Sequence, residues 1–146
     1  MYRSGCPLSN ALDLIGDKWS LIVIRDMFLE RTTFKEFLSG PEKIASNILS
    51  NRLKLLKDYH LISFVFTEGN KKVKHYYLTE KGIDLYPSML EIMLWSKRNL
   101  GKEFNDVATK WFDKIEGKTN KAVIKKQIID YRQHKEKLLE IADKAA

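Results

Sequence analysis

Apolar residues recur along most of the chain at helical spacing, and one central stretch switches to period two. In PLSNALDLIG, Leu8, Ala11, Leu12 and Ile15 share a helical face, and Gly16 is placed to stop the helix at C′. Asp17 reads as the N-cap of a second helix, KWSLIVIRDMFLE, apolar over so much of its surface that it belongs at the centre. In TFKEFLSG, Thr33 and Glu36 match a capping box, Phe34, Phe37 and Leu38 form the apolar face, and Gly40-Pro41 ends the segment. The fourth segment, ASNILSNRLKLLKDYH, sets Ile48, Leu49, Leu53 and Leu56 on one face against Ser46, Asn47, Ser50, Asn51, Lys54 and Lys57 on the other. Most solvated helix faces use Glu, Lys and Gln. Ser and Asn are poorer helix formers but hydrogen-bond in two directions, so by itself this face is either an ordinary solvated one or one that reads another molecule.

The period then changes. LISFVFTE alternates Ile62, Phe64 and Phe66 with Ser63, Val65 and Thr67, GNKK reads as a turn, and VKHYYL reads as a second strand ending at Leu78. Three helices, a fourth with a polar face and then a hairpin with a basic tip make the order of a winged helix-turn-helix. Thr79 can cap a further helix running through Leu85, Met89, Ile92, Met93 and Trp95 to Leu100, with more apolar surface than a monomer needs. Beyond Gly101, NDVATKWFDKI predicts a short helix and Gly117 a break. The segment from Asn120 to Ala146 predicts a long helix with a stripe of Ile124, Ile128, Tyr131, Leu138 and Ala142, interrupted at Lys135. The fold class expected is mainly α with a small β hairpin (α+β). Residues 1–100 would form a winged helix-turn-helix DNA-binding and dimerisation domain, and residues 101–146 a C-terminal helical extension.

Charge sharpens this picture. The 146 residues carry a net charge of +7, and its placement says more than its size. Between Lys43 and Lys57 stand Lys43, Arg52, Lys54 and Lys57 with no acid, and Lys71, Lys72 and Lys74 follow Gly-Asn. Two focused basic segments suggest a nucleic-acid surface. Cys6 is the only cysteine, so no internal disulfide framework is expected and a reducing compartment is the natural reading. The N-terminus lacks a signal-type apolar region and LIVI is far too short to span a bilayer, so a cytoplasmic protein without membrane contact is expected. Three scattered histidines offer no metal spacing, no catalytic motif appears, and neither an enzyme nor a cofactor is expected. Trp19, Trp95 and Trp111 read as core or dimer-interface residues. The rival from another class is a winged helix used as a protein-interaction module, its charge serving an acidic partner.

These segments resemble the HxlR-type regulators, a bacterial family of winged helix-turn-helix repressors and activators related to the MarR group. The similarity runs from about Cys6 to Trp95. It is carried by CPLSNALDLIGDKW, LIVIRDMF, TFKEF, ILSNRLKLLKDYHLI and YLTEKG, in the family's order and spacing. It implies a homodimer on double-stranded operator DNA, paired through the first and fifth helices, with the fourth helix in the major groove and the hairpin along the minor groove. On that reading Lys54, Lys57, Lys71, Lys72 and Lys74 neutralise phosphate. Asn47, Ser50, Asn51 and Arg52, beside Ser46, face the bases. Arg52 lies near the apolar edge, where a structural salt bridge is the competing role. Ala45 stands where the family usually caps the recognition helix with Ser, which leaves Ser46 to take over or the start uncapped. The wing reads NKKVKHY, more basic and without the family's proline pair.

Cys6 matches the sensing cysteine of relatives that respond to quinones, diamide or hypochlorite, which admits a small-molecule or oxidant effector. At a helix start, free amides and a nearby Arg3 would favour a thiolate. The alternatives are an inert packing thiol and a residue with no role.

Overall fold

The structure, a computed structural model, describes residues 3–142. They run α1 (Pro7–Ile15), α2 (Ser20–Phe28), α3 (Phe34–Leu38), α4 (Ser46–Asp58), β1 (Ile62–Thr67), β2 (Asn70–Leu78), α5 (Glu80–Ile83), α6 (Tyr86–Asn99), α7 (Asp106–Ile115) and α8 (Asn120–Glu140). This is the expected class, mostly helix with one antiparallel hairpin. The outermost positions of the two expected regions, residues 1–2 and 143–146, lie outside the described residues.

Helix α2 is central, as its apolar sequence suggested. Val23, Ile24, Met27 and Phe28 are buried with Phe37 of α3, Leu49, Leu53 and Leu56 of α4, and Ile62 and Leu78 of the hairpin. The helix starts at Ser20, two residues later than predicted, because Asp17 caps from a turn outside it. Its carboxylate accepts the Trp19 and Ser20 amides at 2.8 and 2.9 Å, and also the Ser20 hydroxyl. Gly16 closes α1 in right-handed conformation (φ −80°), its amide bonding Leu12 O as one more helical turn, not as a left-handed C′ residue. The capping box on α3 forms as read. Glu36 N donates to Thr33 Oγ1 at 3.2 Å, and Thr33 N donates to Glu36 Oε1 at 3.3 Å.

Two expectations are corrected around the hairpin. The turn is Glu68–Gly69, where Gly69 takes φ +77°, so Asn70, Lys71 and Lys72 belong to β2. Thr67 faces Asn70 but Phe66 faces Lys74, so Lys71 to Val73 bulge from the ladder. Asn70 Oδ1 accepts the Lys72 amide at 3.1 Å and stabilises that tip. The clean alternation also fails past Ile62. Phe64, Val65 and Phe66 are all half-buried; Phe64 packs on Tyr76 and Phe66, and Thr67 beyond them bridges to Ala142, just past α8.

The helix expected from Thr79 to Leu100 is two. Pro87, at the start of α6, lacks an amide donor and disfavours helical geometry before it, and the chain turns between Ile83 and Tyr86. Thr79 caps α5 as predicted, accepting Gly82 N at 3.3 Å. Gly82 is required by space: a side chain there would strike the Leu61 carbonyl. Leu8 and Leu12 on α1 are 67% and 50% exposed, and Ile92 and Trp95 on α6 54% and 52%, which leaves two uncovered apolar faces. Trp19 and Trp111 are half-buried.

Helix α8 joins the same core. Its buried residues are Val123, Tyr131 and Leu138, while Ile124 and Ile128, predicted on the stripe, are half-buried beside them. Tyr131 stacks edge-on to Phe28 at 5.2 Å, and its hydroxyl accepts the Leu78 amide at 2.7 Å. Past the helix, Glu68 N donates to Ile141 O at 3.2 Å, and Thr67 bridges to Ala142.

Tyr131→Phe keeps the packing and strips the Leu78 amide of its buried partner. It should cost about 1–3 kcal/mol. Thermal unfolding should show a melting point several degrees lower, whereas an unchanged one would mean that water reaches that amide.

Candidate nucleic-acid interface

Burial of Leu49, Leu53 and Leu56 at 0–3% exposure orients α4, and the opposite face follows from helical geometry. Ser46, Asn47, Ser50, Asn51, Lys54 and Lys57 are all exposed on it. Ala45 is the N-cap and carries no capping side chain; Ser46 lies already inside the helix and does not replace it. Arg52 departs from the group. It is half-buried, and its guanidinium pairs with Asp17 at 3.3 Å, the structural bridge that competed with base contact. Lys54 pairs with Asp58 one turn on at 2.7 Å, and its hydrogen bond holds the Asp58 carboxyl below the usual carboxylate range.

The wing supplies a second set of cations. Lys71, Lys72 and Lys74 are exposed. Lys74 Nζ lies 4.6 Å from the centroid of Phe64, and Lys57 Nζ lies 5.5 Å from the same ring. Phe64 thereby gathers one cation from α4 and one from β2. The strand alternation set Phe64 with Ile62 and Phe66 and gave no sign of this role. At the wing root, Tyr76 N donates to Thr32 O at 2.8 Å, and Thr32 Oγ1 meets His75 Nδ1 at 2.8 Å, tying the hairpin to the turn before α3.

An ion network the sequence reading also missed anchors the approach to α4. Asp26 is 3% exposed, and its Oδ1 takes Arg25 Nη2 at 2.7 Å and Arg31 Nη1 at 2.9 Å. Arg25 then reaches Glu42, three residues before α4's N-cap, at 2.6 Å. Its hydrogen bond holds the Glu42 carboxyl below the usual range, against the opposing effect of burial. Burial likewise opposes the charge on Asp17. Hydrogen bonds from Ser20 and Trp19, together with Arg52, outweigh it and lower the Asp17 pKa.

Cys6 is exposed and sits at the N-cap of α1 with Pro7 following. Arg3 does not serve the thiol as expected, because Asp13, brought round by the helix, takes its guanidinium at 2.6 Å. Among the described residues no three His, Cys, Asp or Glu side chains gather as a metal site, and no helix is long and apolar enough to cross a membrane.

A recognition-type helix flanked by a basic hairpin and carried on a three-helix core is a winged helix-turn-helix. Residues 14–104 match the HxlR-like helix-turn-helix family, and the chain belongs to it. One relative is the uncharacterised HTH-type transcriptional regulator Rv3095 of Mycobacterium tuberculosis. It is 30% identical over 96 residues, 66% of this chain and 60% of the relative's own length. The crystal structure of PA1607 superposes with a TM-score of 0.64 at 33% identity, covering 71% of this chain and 72% of that one. The redox regulator HypR in its oxidised form gives 0.58 at 28% identity, covering 68% of this chain and all of HypR.

Asp17 and Glu42 bind protons less tightly in the folded chain than at their ordinary values of 3.8 and 4.5. Their contribution is complete above those values and drains away as pH falls through the lowered folded ones. Urea unfolding should show an acid limb of falling stability below about pH 5, flattened in the Asp17→Asn, Glu42→Gln double variant. An equally steep limb in the variant would assign acid sensitivity elsewhere.

Proposed function

We propose that this chain is a sequence-specific DNA-binding regulator of transcription acting as a two-fold dimer on an inverted repeat. The observation that carries the reading is the wholly exposed Ser/Asn/Lys face of α4 beside the cationic hairpin. In this reading α4 enters the major groove. Asn47, Ser50 and Asn51 then meet base edges, and Ser46 sits at the open helix start near the backbone. Lys54, Lys57, Lys71, Lys72 and Lys74 neutralise phosphates, while Arg52 holds α4 to Asp17 more than it reads. The uncovered apolar faces of α1 and α6 supply the subunit contact. A cytoplasmic location and the division at about residue 100 belong to the same proposal.

Selection of bound duplexes from a random pool should yield a symmetric site with half-sites about 34–36 Å apart. Asn51→Ala should cost about 1–3 kcal/mol on that site and relax preference at one base position. Lys72→Ala should weaken all duplexes alike and reduce the salt slope by about one unit. Binding without sequence preference would favour the interaction-module reading.

We further propose that Cys6 makes the regulator responsive to oxidants. The thiol is exposed at the start of a helix with an open apolar face, and the family likeness extends to a protein described as a redox regulator. Two Cys6 thiols of a dimer, giving up two protons and two electrons to an oxidant such as diamide, join as a disulfide; one alone forms a mixed disulfide with a small thiol. Diamide should change operator affinity in the parent chain and leave Cys6→Ser unmoved. Equal responses in the two proteins would return Cys6 to an inert thiol.

A further inference from the structure

Little within the hairpin holds its own tip. A two-stranded sheet standing alone is marginal in water. This one leaves its ladder between Lys71 and Val73, and it sets Lys71, Lys72 and Lys74 close together just past the Gly69 turn. Like charges so placed work against the pairing.

Support comes from outside the hairpin. Tyr131, Lys135, Leu138 and Ala142 recur at helical spacing and form one stripe along the second half of α8 and the residues just past it. At the root of the wing the Tyr131 hydroxyl accepts the Leu78 amide at 2.7 Å. One turn on, Lys135 Nζ lies 5.2 Å from the centroid of Tyr77, so the residue that interrupts the apolar stripe is itself a contact with the wing. Leu138 is buried. Beside the turn, Ala142 bridges to Thr67, and the Ile141 carbonyl accepts the Glu68 amide at 3.2 Å. From Tyr131 to its end α8 advances about 15 Å, against about 20 Å for the six residues of β1. The contacts therefore run from the root of the wing to its tip. Every one of these α8 positions lies beyond residue 104, where the family match ends.

We propose that Tyr131, Lys135 and the Ile141 carbonyl are positioning groups for the wing. They hold the tip that carries Lys72 and Lys74 in one place beside α4, so that it meets a duplex backbone without first having to be ordered. This rests on the DNA-binding reading and adds to it a role for α8, exerted through the hairpin.

Glu68→Pro in the full chain is the test. Thr67 is extended in β1, Glu68 is not at positive φ, and Gly69 takes φ +77°. A proline at the first central position of such a turn is favoured, and an extended residue before it is what proline requires. The substitution therefore keeps the turn and deletes the amide that bonds Ile141. Glu68→Ala makes the same change of charge, keeps that amide and serves as the reference. The first measurement needs no DNA. Hydrogen exchange of the amides from Phe66 to Lys74 should quicken about tenfold in Glu68→Pro relative to Glu68→Ala, with the α4 amides unchanged. The second is affinity for a mixed-sequence duplex at graded salt. Glu68→Pro should bind about threefold more weakly than Glu68→Ala, and the difference should shrink when both also carry Lys72→Ala. Equal exchange in the two variants overturns the proposal, because the tip is then held without α8. Faster exchange with equal affinity overturns it too. So does a difference that Lys72→Ala leaves whole, since general destabilisation then accounts for it. A parent chain without salt-dependent duplex affinity would instead bring down the DNA-binding reading, and the positioning role with it.

Discussion

Three leucines decide what α4 can do. Leu49, Leu53 and Leu56 must leave water together, and burying each is worth about 1.5–3 kcal/mol. Because they repeat at helical spacing, satisfying them fixes the rotation of α4 about its own axis. Every polar side chain on the opposite face is then committed to solvent, whatever its own preferences. The lack of a side-chain cap at Ala45 is tolerable for the same reason: tertiary burial, not end chemistry, holds the helix. The polar face is thus an outcome of the core behind it.

Holding a helix in rotation does not hold the loop that leads into it, and here the ion network enters. Asp26 is too buried to stand alone as a charge, and it exists by sharing Arg25 and Arg31. Arg25 extends the arrangement to Glu42, so the segment before α4 is tied to the central helix. A second tie, Arg52 to Asp17, joins α4 to the cap of that same helix. Both ties make α2 the common reference for the recognition face and its approach.

What the sequence showed and what it hid divide along the range of the interactions. The capping box at Thr33 and Glu36, the two faces of α4 and the start of α5 at Thr79 obey rules spanning three or four residues, and each was legible. The Glu68–Gly69 turn was misplaced by two residues, because Gly-Asn looks like a turn until Asn70 is seen bonding Lys72 from within the strand. Pro87 was visible but its effect was not weighed, so one helix was read where two stand. The Arg25–Glu42 and Arg52–Asp17 pairs, the double cation contact of Phe64 and the docking of Tyr131 on Leu78 join residues far apart in sequence. No local pattern announces them.

A two-stranded sheet has two open margins, and each exposed margin is a template on which another chain can lay a strand. Here the outer side of β2 is dressed at its root, where the Tyr76 amide goes to Thr32 and the Leu78 amide to Tyr131. At the far end Thr67 and Glu68 are occupied by Ala142 and Ile141. Between them the lysine-bearing bulge at Lys71 to Val73 breaks the straight run a guest strand would need. Tyr131 of α8 at the root and Ile141 and Ala142 just past it at the far end thus occupy backbone groups on which a guest strand would have to pair.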